Sequence, residues 1–157
     1  MDDRLFRNAM GKFATGVTII VTEINNEAHG MTANAFMSVS LDPKLVVISI
    51  KENARMLSKI QQAKKFSVNI LSSSQEEISK IFSGQIQNRQ VTFGRLADTP
   101  VIPGAIAQIV CEVSAEHVEG DHTLFIGKVI DIQVEDEDPL LFFNGKYRSL
   151  EKLAEVL

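Results

Sequence analysis

Cysteine is nearly absent, Cys111 being the only one. That excludes a disulfide framework and a thiolate metal cluster. There is no basic excess either: the formal net charge is -4, and nothing resembles a nucleic-acid footprint. No apolar run approaches the roughly 20 residues that span a bilayer, and the opening MDDRLFRNAM has no apolar core of the signal-peptide type. The expectation is a cytoplasmic protein with no nucleic-acid and no membrane partner. Familiar motifs are missing too. There is no G-x-G-x-x-G after a strand, no G-x-x-x-x-G-K and no G-x-S-x-G, so the dinucleotide fingerprint, the phosphate loop and the serine elbow are excluded. His29, His117 and His122 lack zinc-ligand spacing, and no metal is expected. Cys111 lies in an alternating apolar face and reads as core, not as a nucleophile. An enzyme so short of acids, bases and nucleophiles would borrow its reactive group from a cofactor.

What is present suits one domain over residues 1–157. The chain is 45% hydrophobic and 23% charged, long enough to bury a core without staples. Leu5, Phe6, Ala9, Met10 and Phe13 share a face at helical spacing, which predicts a helix over 3–14, with Asp2 or Asp3 capping it and Gly16 near its end. VTIIVTEI (17–24) predicts a strand, Asn25-Asn26 a turn, and 28–36 and 45–50 further strands. Asn53 can cap a helix carrying Met56, Leu57 and Ile60. FSVNIL (66–71) reads as a strand, and Ser74 with Glu77 has capping-box spacing before Ile78 and Ile81. Residues 84–104 show no period and read as a long loop. Residues 105–118 and 123–134 alternate around a polar connection and predict a hairpin, with Ile109, Cys111, Val113 and Ala115 on one side of the first strand. On the second, Leu124, Ile126, Ile130, Ile132 and Val134 fall together. A short strand at 140–143 and a helix at 149–157 complete the pattern. Six or seven strands, many with one polar face, imply a small antiparallel-rich barrel, mainly β with flanking helices, in preference to a doubly wound parallel fold.

Three stretches invite a functional reading. GMTANAFMSVSLDPKL (30–45) is small, polar and uncharged until Asp42. Small residues allow a flat heterocycle to approach the backbone closely, and hydroxyls and amides can then read its edge. Residue types alone favour a plainer reading, an edge strand followed by a Ser-rich turn. KENARMLSKI (51–60) opens a helix after a strand, and helix N-termini favour anions. Lys51 and Arg55 add positive charge there, although solvated surface cations are the commoner case. GDHTLFIG places His122 beyond a Gly-Asp turn, where histidine is usually solvated.

The segments FATGVTIIVT (13–22), HGMTANAFMSVSLDPKLVVISI (29–50), GDHTLFIGKV (120–129) and LLFFNGKYRSL (140–150) together resemble the short-chain flavin reductases. These are the small components of two-component flavin-dependent aromatic monooxygenases, and MDDRLFRNAMGKFATGVT is especially similar to the reductase components of bacterial phenol 2-hydroxylases. The resemblance runs to about residue 150. It implies a flavin-binding split β-barrel of Greek-key type and a homodimer. It also implies hydride transfer from NADH to bound flavin, and delivery of reduced FAD to a separate oxygenase in aromatic hydrocarbon catabolism. By motif, Thr32, Ala33, Asn34, Ala35, Ser38, Val39 and Ser40 would line the isoalloxazine and adjoining chain. Ser49, Lys51, Ala54, Arg55 and Met56 would hold ribityl, phosphate or adenine groups. Phe82, Ser83 and Gly84 match a Phe-Ala-Gly motif near the flavin, with serine replacing alanine. His122, Tyr147 and Arg148 would meet NADH. No protein side chain is implied as catalytic, since the flavin itself accepts the hydride. Lys44 stands where many members carry a second proline. Two alternatives keep the fold: an FMN-preferring reductase serving another oxygenase, and a non-enzymatic flavin-binding split-barrel protein.

Overall fold

The computed structural model describes residues 1–151. Helix α1 (Asp3–Gly11) starts where Asp2 accepts a 2.9 Å hydrogen bond from the Arg4 N–H. It is shorter than its periodicity suggests, because Lys12 caps it and Gly16 lies instead in strand β1 (Thr15–Gly16). Its apolar stripe is uncovered: Leu5, Phe6 and Met10 are more than half exposed and Phe13 is 78% exposed. Strands β2 (Thr18–Ile24) and β3 (Glu27–Ala33) form a hairpin around Asn25 and Asn26, whose φ values of 52° and 62° asparagine tolerates well. The strand expected over 28–36 stops at Ala33, and β4 (Phe36–Ser40) and β5 (Leu45–Lys51) follow separately.

Helix α2 (Arg55–Ala63) is capped by Ala54, not Asn53, and has no side-chain cap. Strand β6 (Lys65–Ile70) leads to α3 (Glu76–Phe82). The capping box expected there does not form: Gln75 holds the N-cap position with no capping hydrogen bond from its side chain, and the Ser74 hydroxyl lies 3.0 Å from that of Ser72. The segment read as a loop holds a second hairpin, β7 (Gly94–Leu96) and β8 (Thr99–Val101). It turns on Ala97 and Asp98, both at positive φ with no glycine to announce it. Strands β9 (Ala107–Glu119) and β10 (His122–Val134) form the expected long hairpin, and β11 (Leu141–Phe143) pairs with an unexpected β12 (Lys146–Arg148). Twelve strands thus replace the expected six or seven among the described residues. The helix expected at 149–157 lies mostly outside them, and residues 149–151 are not helical. No helix among the described residues is long and apolar enough to cross a membrane.

Seven strands form one antiparallel sheet in the order β3-β2-β6-β9-β10-β5-β4. Laid flat, its edges would stand about 29 Å apart at roughly 4.8 Å per strand. Yet those edges, β3 and β4, are joined by Asn34 and Ala35 alone, a span of at most about 11 Å. The sheet therefore rolls until its edges nearly meet, and no ladder joins β3 to β4.

The interior of the roll packs Ile20, Ile48, Ile50, Phe66, Val68, Cys111 and Phe125, with Met56 and Ile60 of α2 entering it. A second cluster lies on the other face of β2, where Ile19 and Val21 pack with Leu71, Ile102 and Leu140. On β9, Ile109 and Cys111 face the interior as expected, with Val113 packed beside them. On β10 the expected face is wrong. Thr123, Phe125 and Gly127 point inward, while Leu124 and Ile126 are half-buried and Ile130, Ile132 and Val134 are exposed. Both alternating sets of this strand begin apolar, so period alone does not choose between them. Packing chooses: a Cβ on Gly127 would stand 2.7 Å from Phe66 Cζ.

Candidate functional site

The seam gathers the first group of predicted residues. The Ser49 N–H donates to the Ala35 carbonyl at 3.2 Å, tying the Asn34-Ala35 link to β5. Two residues further along β5, Lys51 lies opposite His122 of β10. The Glu52 N–H then donates to the Asp121 carbonyl at 2.9 Å and the Ala54 N–H to the Lys51 carbonyl at 3.0 Å. So Ala35, Ser49, Lys51, Ala54, Arg55 and His122 come to one end of the roll, from segments far apart in sequence. Because α2 lacks a side-chain cap, the orphan N–H groups of its first turn remain for an anion or water. Lys51 and Arg55 are exposed beside it, whereas the Met56 side chain is 4% exposed in the core. Met56 can therefore offer a ligand only its backbone.

At the hairpin tip, His122 Nδ1 and Asp121 Oδ1 are 2.7 Å apart. This hydrogen bond, with a smaller contribution from the Lys51 charge, holds the Asp121 carboxyl below the usual carboxylate range. With Nδ1 occupied, the imidazole presents Nε2 outward.

Ser38, Val39 and Ser40 lie on β4. Ser38 pairs with Val46 and Ser40 with Leu45, about 10–14 Å along β5 from Ser49 at the seam at roughly 3.4 Å per residue. The 32–40 segment therefore runs from the seam along the edge strand β4. Residues 32–35 stand at the seam, and 38–40 run away from it along an edge strand.

A cleft of about 180 Å³ opens beside the seam. Thr32, Ala33 and Asn34 form one side, Ser83 and Gln85 another, and Tyr147 a third. Thr32 Oγ1 donates to the Ser79 carbonyl at 2.7 Å, and the Ser79 and Tyr147 hydroxyls are 2.7 Å apart. Tyr147 meets Phe142 edge-on at 5.3 Å, with Lys80 Nζ 5.8 Å from its ring centroid. Tyr147, expected on the NADH side, thus shares its cleft with residues expected to hold the flavin, and His122 does not line it. Gly84, at φ 84°, turns the chain out of α3. Phe82 does not line the cleft. Its ring lies over Gly30 and 6.0 Å from that of Phe93. Arg148 is exposed on β12.

Sequence reasoning missed Ser79 and Gln85. The only signal for Ser79 was a polar residue at helical position between Ile78 and Phe82, which reads as solvent-facing until β12 is known to cover it. A larger groove of about 450 Å³ runs between α3 and the following loop, past Ile78, Ile81, Val91 and Ile102, and contains none of the predicted residues. No group of three or more metal-ligating side chains occurs among the described residues.

Comparison with known proteins identifies the family. Residues 10–151 match the flavin reductase like domain family. An NADH-dependent flavin reductase of Rhodococcus sp is 44% identical over 152 residues, covering 94% of this chain and 86% of the relative. The reductase component of 4-hydroxyphenylacetate 3-monooxygenase from Thermus thermophilus is 35% identical, covering 92% of this chain and 95% of its own. Among solved structures, the flavin reductase PheA2 in its native state superposes with a TM-score of 0.95 at 62% identity, covering 97% of this chain and 100% of that one. The chain belongs to the flavin reductase family.

Proposed function

We infer that the chain is an NADH-dependent flavin reductase, an oxidoreductase that passes reduced FAD to a separate oxygenase component of an aromatic monooxygenase. One observation carries the reading beyond family membership. The fold brings the Thr32–Ala35 seam, the uncapped start of α2 with Lys51 and Arg55, and the His122 tip to a single rim. We read the rolled sheet, unpaired between β3 and β4, as a split barrel of Greek-key type, and residues 1–157 as one such domain.

These residues fit a flavin. The cleft supplies small residues, hydroxyls and amides for a ring edge, and the uncapped helix supplies N–H donors and cations for a phosphate. Thr32, Ala33, Asn34, Ala35, Ser83, Gly84 and Tyr147 would meet the ring, and Ser49, Lys51, Ala54, Arg55 and the Met56 backbone the ribityl and phosphate chain. His122 and Arg148 would receive NADH. Ser38, Val39 and Ser40 continue from the seam along β4 and would meet the far side of the ring and the adjoining chain. When bound, the flavin accepts hydride from NADH, and the protein supplies orientation and polarity. His122, tethered by Asp121, orients the nucleotide through Nε2.

A homodimer is supported by the uncovered apolar face of α1 and by exposed Ile130, Ile132 and Val134 on β10. The small cleft offers no closed cavity for both a flavin hydroperoxide and an aromatic substrate, so hydroxylation belongs to the partner. The test is to incubate the protein with FAD, oxygen, phenol and either NADH or NADPH. NADH oxidation exceeding NADPH oxidation, with peroxide and no catechol, is expected. Intact, folded protein that oxidises no NADH would overturn the reading, and catechol formed with catalase present would reassign the chain as a complete monooxygenase.

A further inference from the structure

Ser79 is fully buried and is the only buried residue of α3. A hydroxyl carries one proton and two acceptor sites. The one side-chain partner of Ser79 Oγ among the described residues is the Tyr147 hydroxyl, at 2.7 Å. A buried donor left without an acceptor is costly, so the Ser79 proton goes to Tyr147. The half-buried Tyr147 lines the cleft, and its own proton is thereby left free to point into it. The Lys80 ammonium near the ring strengthens the phenol as a donor. The Ser79 carbonyl acts in the opposite sense on the facing wall. It accepts from Thr32 Oγ1 at 2.7 Å and from the Ser83 N–H at 3.1 Å. The Thr32 proton is spent there, and Thr32 Oγ1 offers the cleft an acceptor.

We propose that Ser79 is a positioning residue: it fixes Tyr147 as a hydrogen-bond donor and Thr32 as an acceptor, a pair matched to the alternating carbonyl and N–H edge of the flavin's pyrimidine ring. Ser79 is buried at the edge of the cleft and acts through residues of two separate sheets, β3 and β12. The proposal rests on the flavin-reductase reading given above.

The test is a double-mutant cycle read by fluorescence titration with FAD and by the visible spectrum of the bound flavin. Ser79→Ala should raise the FAD Kd by about threefold to tenfold, the value of one positioned hydrogen bond. Tyr147→Phe should raise it at least as much. In the Tyr147→Phe background, Ser79→Ala should add nothing, and Ser79→Thr, which keeps the hydroxyl, should bind FAD nearly as the wild type does. A purely structural Ser79 would instead weaken binding equally in both backgrounds, and that result overturns the proposal. If Ser79→Ala fails to fold, Tyr147→Phe decides: wild-type FAD affinity and spectrum in that variant overturn it. Folded wild-type protein that binds no FAD defeats the flavin reading itself, whereas wild-type protein that binds and reduces FAD while the cycle fails defeats only the role of Ser79.

Discussion

Gly30→Ala adds one carbon where the structure has no room for it. A Cβ on Gly30 would stand 2.6 Å from Cε1 and 2.7 Å from Cδ1 of Phe82. Carbon atoms sit comfortably at about 3.5–4.0 Å, so the ring must retreat by about 1 Å. It cannot do so freely, because its ring centre is 6.0 Å from that of Phe93 and both pack against the outer cluster of β2. Overpacking of this kind costs about 1–3 kcal/mol. At a urea slope of about 2 kcal/mol/M, the unfolding midpoint should fall by about 0.5–1.5 M with an unchanged slope. The disturbance also reaches the cleft, because Ser83 follows Phe82 directly, so FAD should bind more weakly. Phe82→Leu frees the space. Its own penalty should shrink or reverse beside Gly30→Ala, giving a coupling of about 1 kcal/mol or more. Equilibrium urea unfolding of the four proteins checks this. A Gly30→Ala midpoint within about 0.2 M of wild type, with the Phe82→Leu penalty unchanged between backgrounds, would refute the steric argument.

Two further outcomes are expected. His122→Ala should raise the KM for NADH by about fivefold, roughly 1 kcal/mol, while leaving the FAD Kd nearly unchanged; steady-state kinetics beside FAD titration separate the two, and unchanged kcat/KM for NADH would return His122 to a solvated turn. Burial pushes the Cys111 thiol from an ordinary value of 9.0 up to about 12. Between those values the unfolded chain ionises and the folded chain does not, so folding stability should fall as pH rises, by up to about 1.4 kcal/mol per pH unit. Cys111→Ala should remove that part of the alkaline slope in urea unfolding measured across the range, and an identical slope in the variant would show that the thiol is not the source.

The strands were legible where one alternating set was apolar and the other was not, as at Ile109, Cys111 and Val113. β10 failed because the set holding Leu124, Ile126, Ile130, Ile132 and Val134 is the more apolar one, yet Phe125 and the close approach of Gly127 to Phe66 turn the other set inward. The hairpin at Ala97 and Asp98 escaped because its turn uses residues with no strong preference for positive φ. The apolar stripe of α1 is plain in the periodicity, but periodicity does not say what covers it. For the site, linear order alone does not show that Ser40 stands beside Leu45, six residues along β5 from Lys51. Ser79 was invisible because its partner is 68 residues away.

The two-residue link across the seam also constrains how the molecule can be made. β3 and β4 are synthesised consecutively yet belong at opposite edges of the sheet. The strands that join β6 to β5 are β9 and β10, the last of this sheet to leave the ribosome. Until residue 134 emerges, the nascent chain holds two separate fragments, each with an unpaired edge next to the gap, and neither encloses the interior cluster. Open edges of this kind recruit other chains. Completion is thus a single late event at the C-terminal side, and chaperone protection should be needed most while residues 71–134 are being added. A chain halted at residue 120 should remain protease-sensitive, whereas one extended through residue 151 becomes resistant in one step.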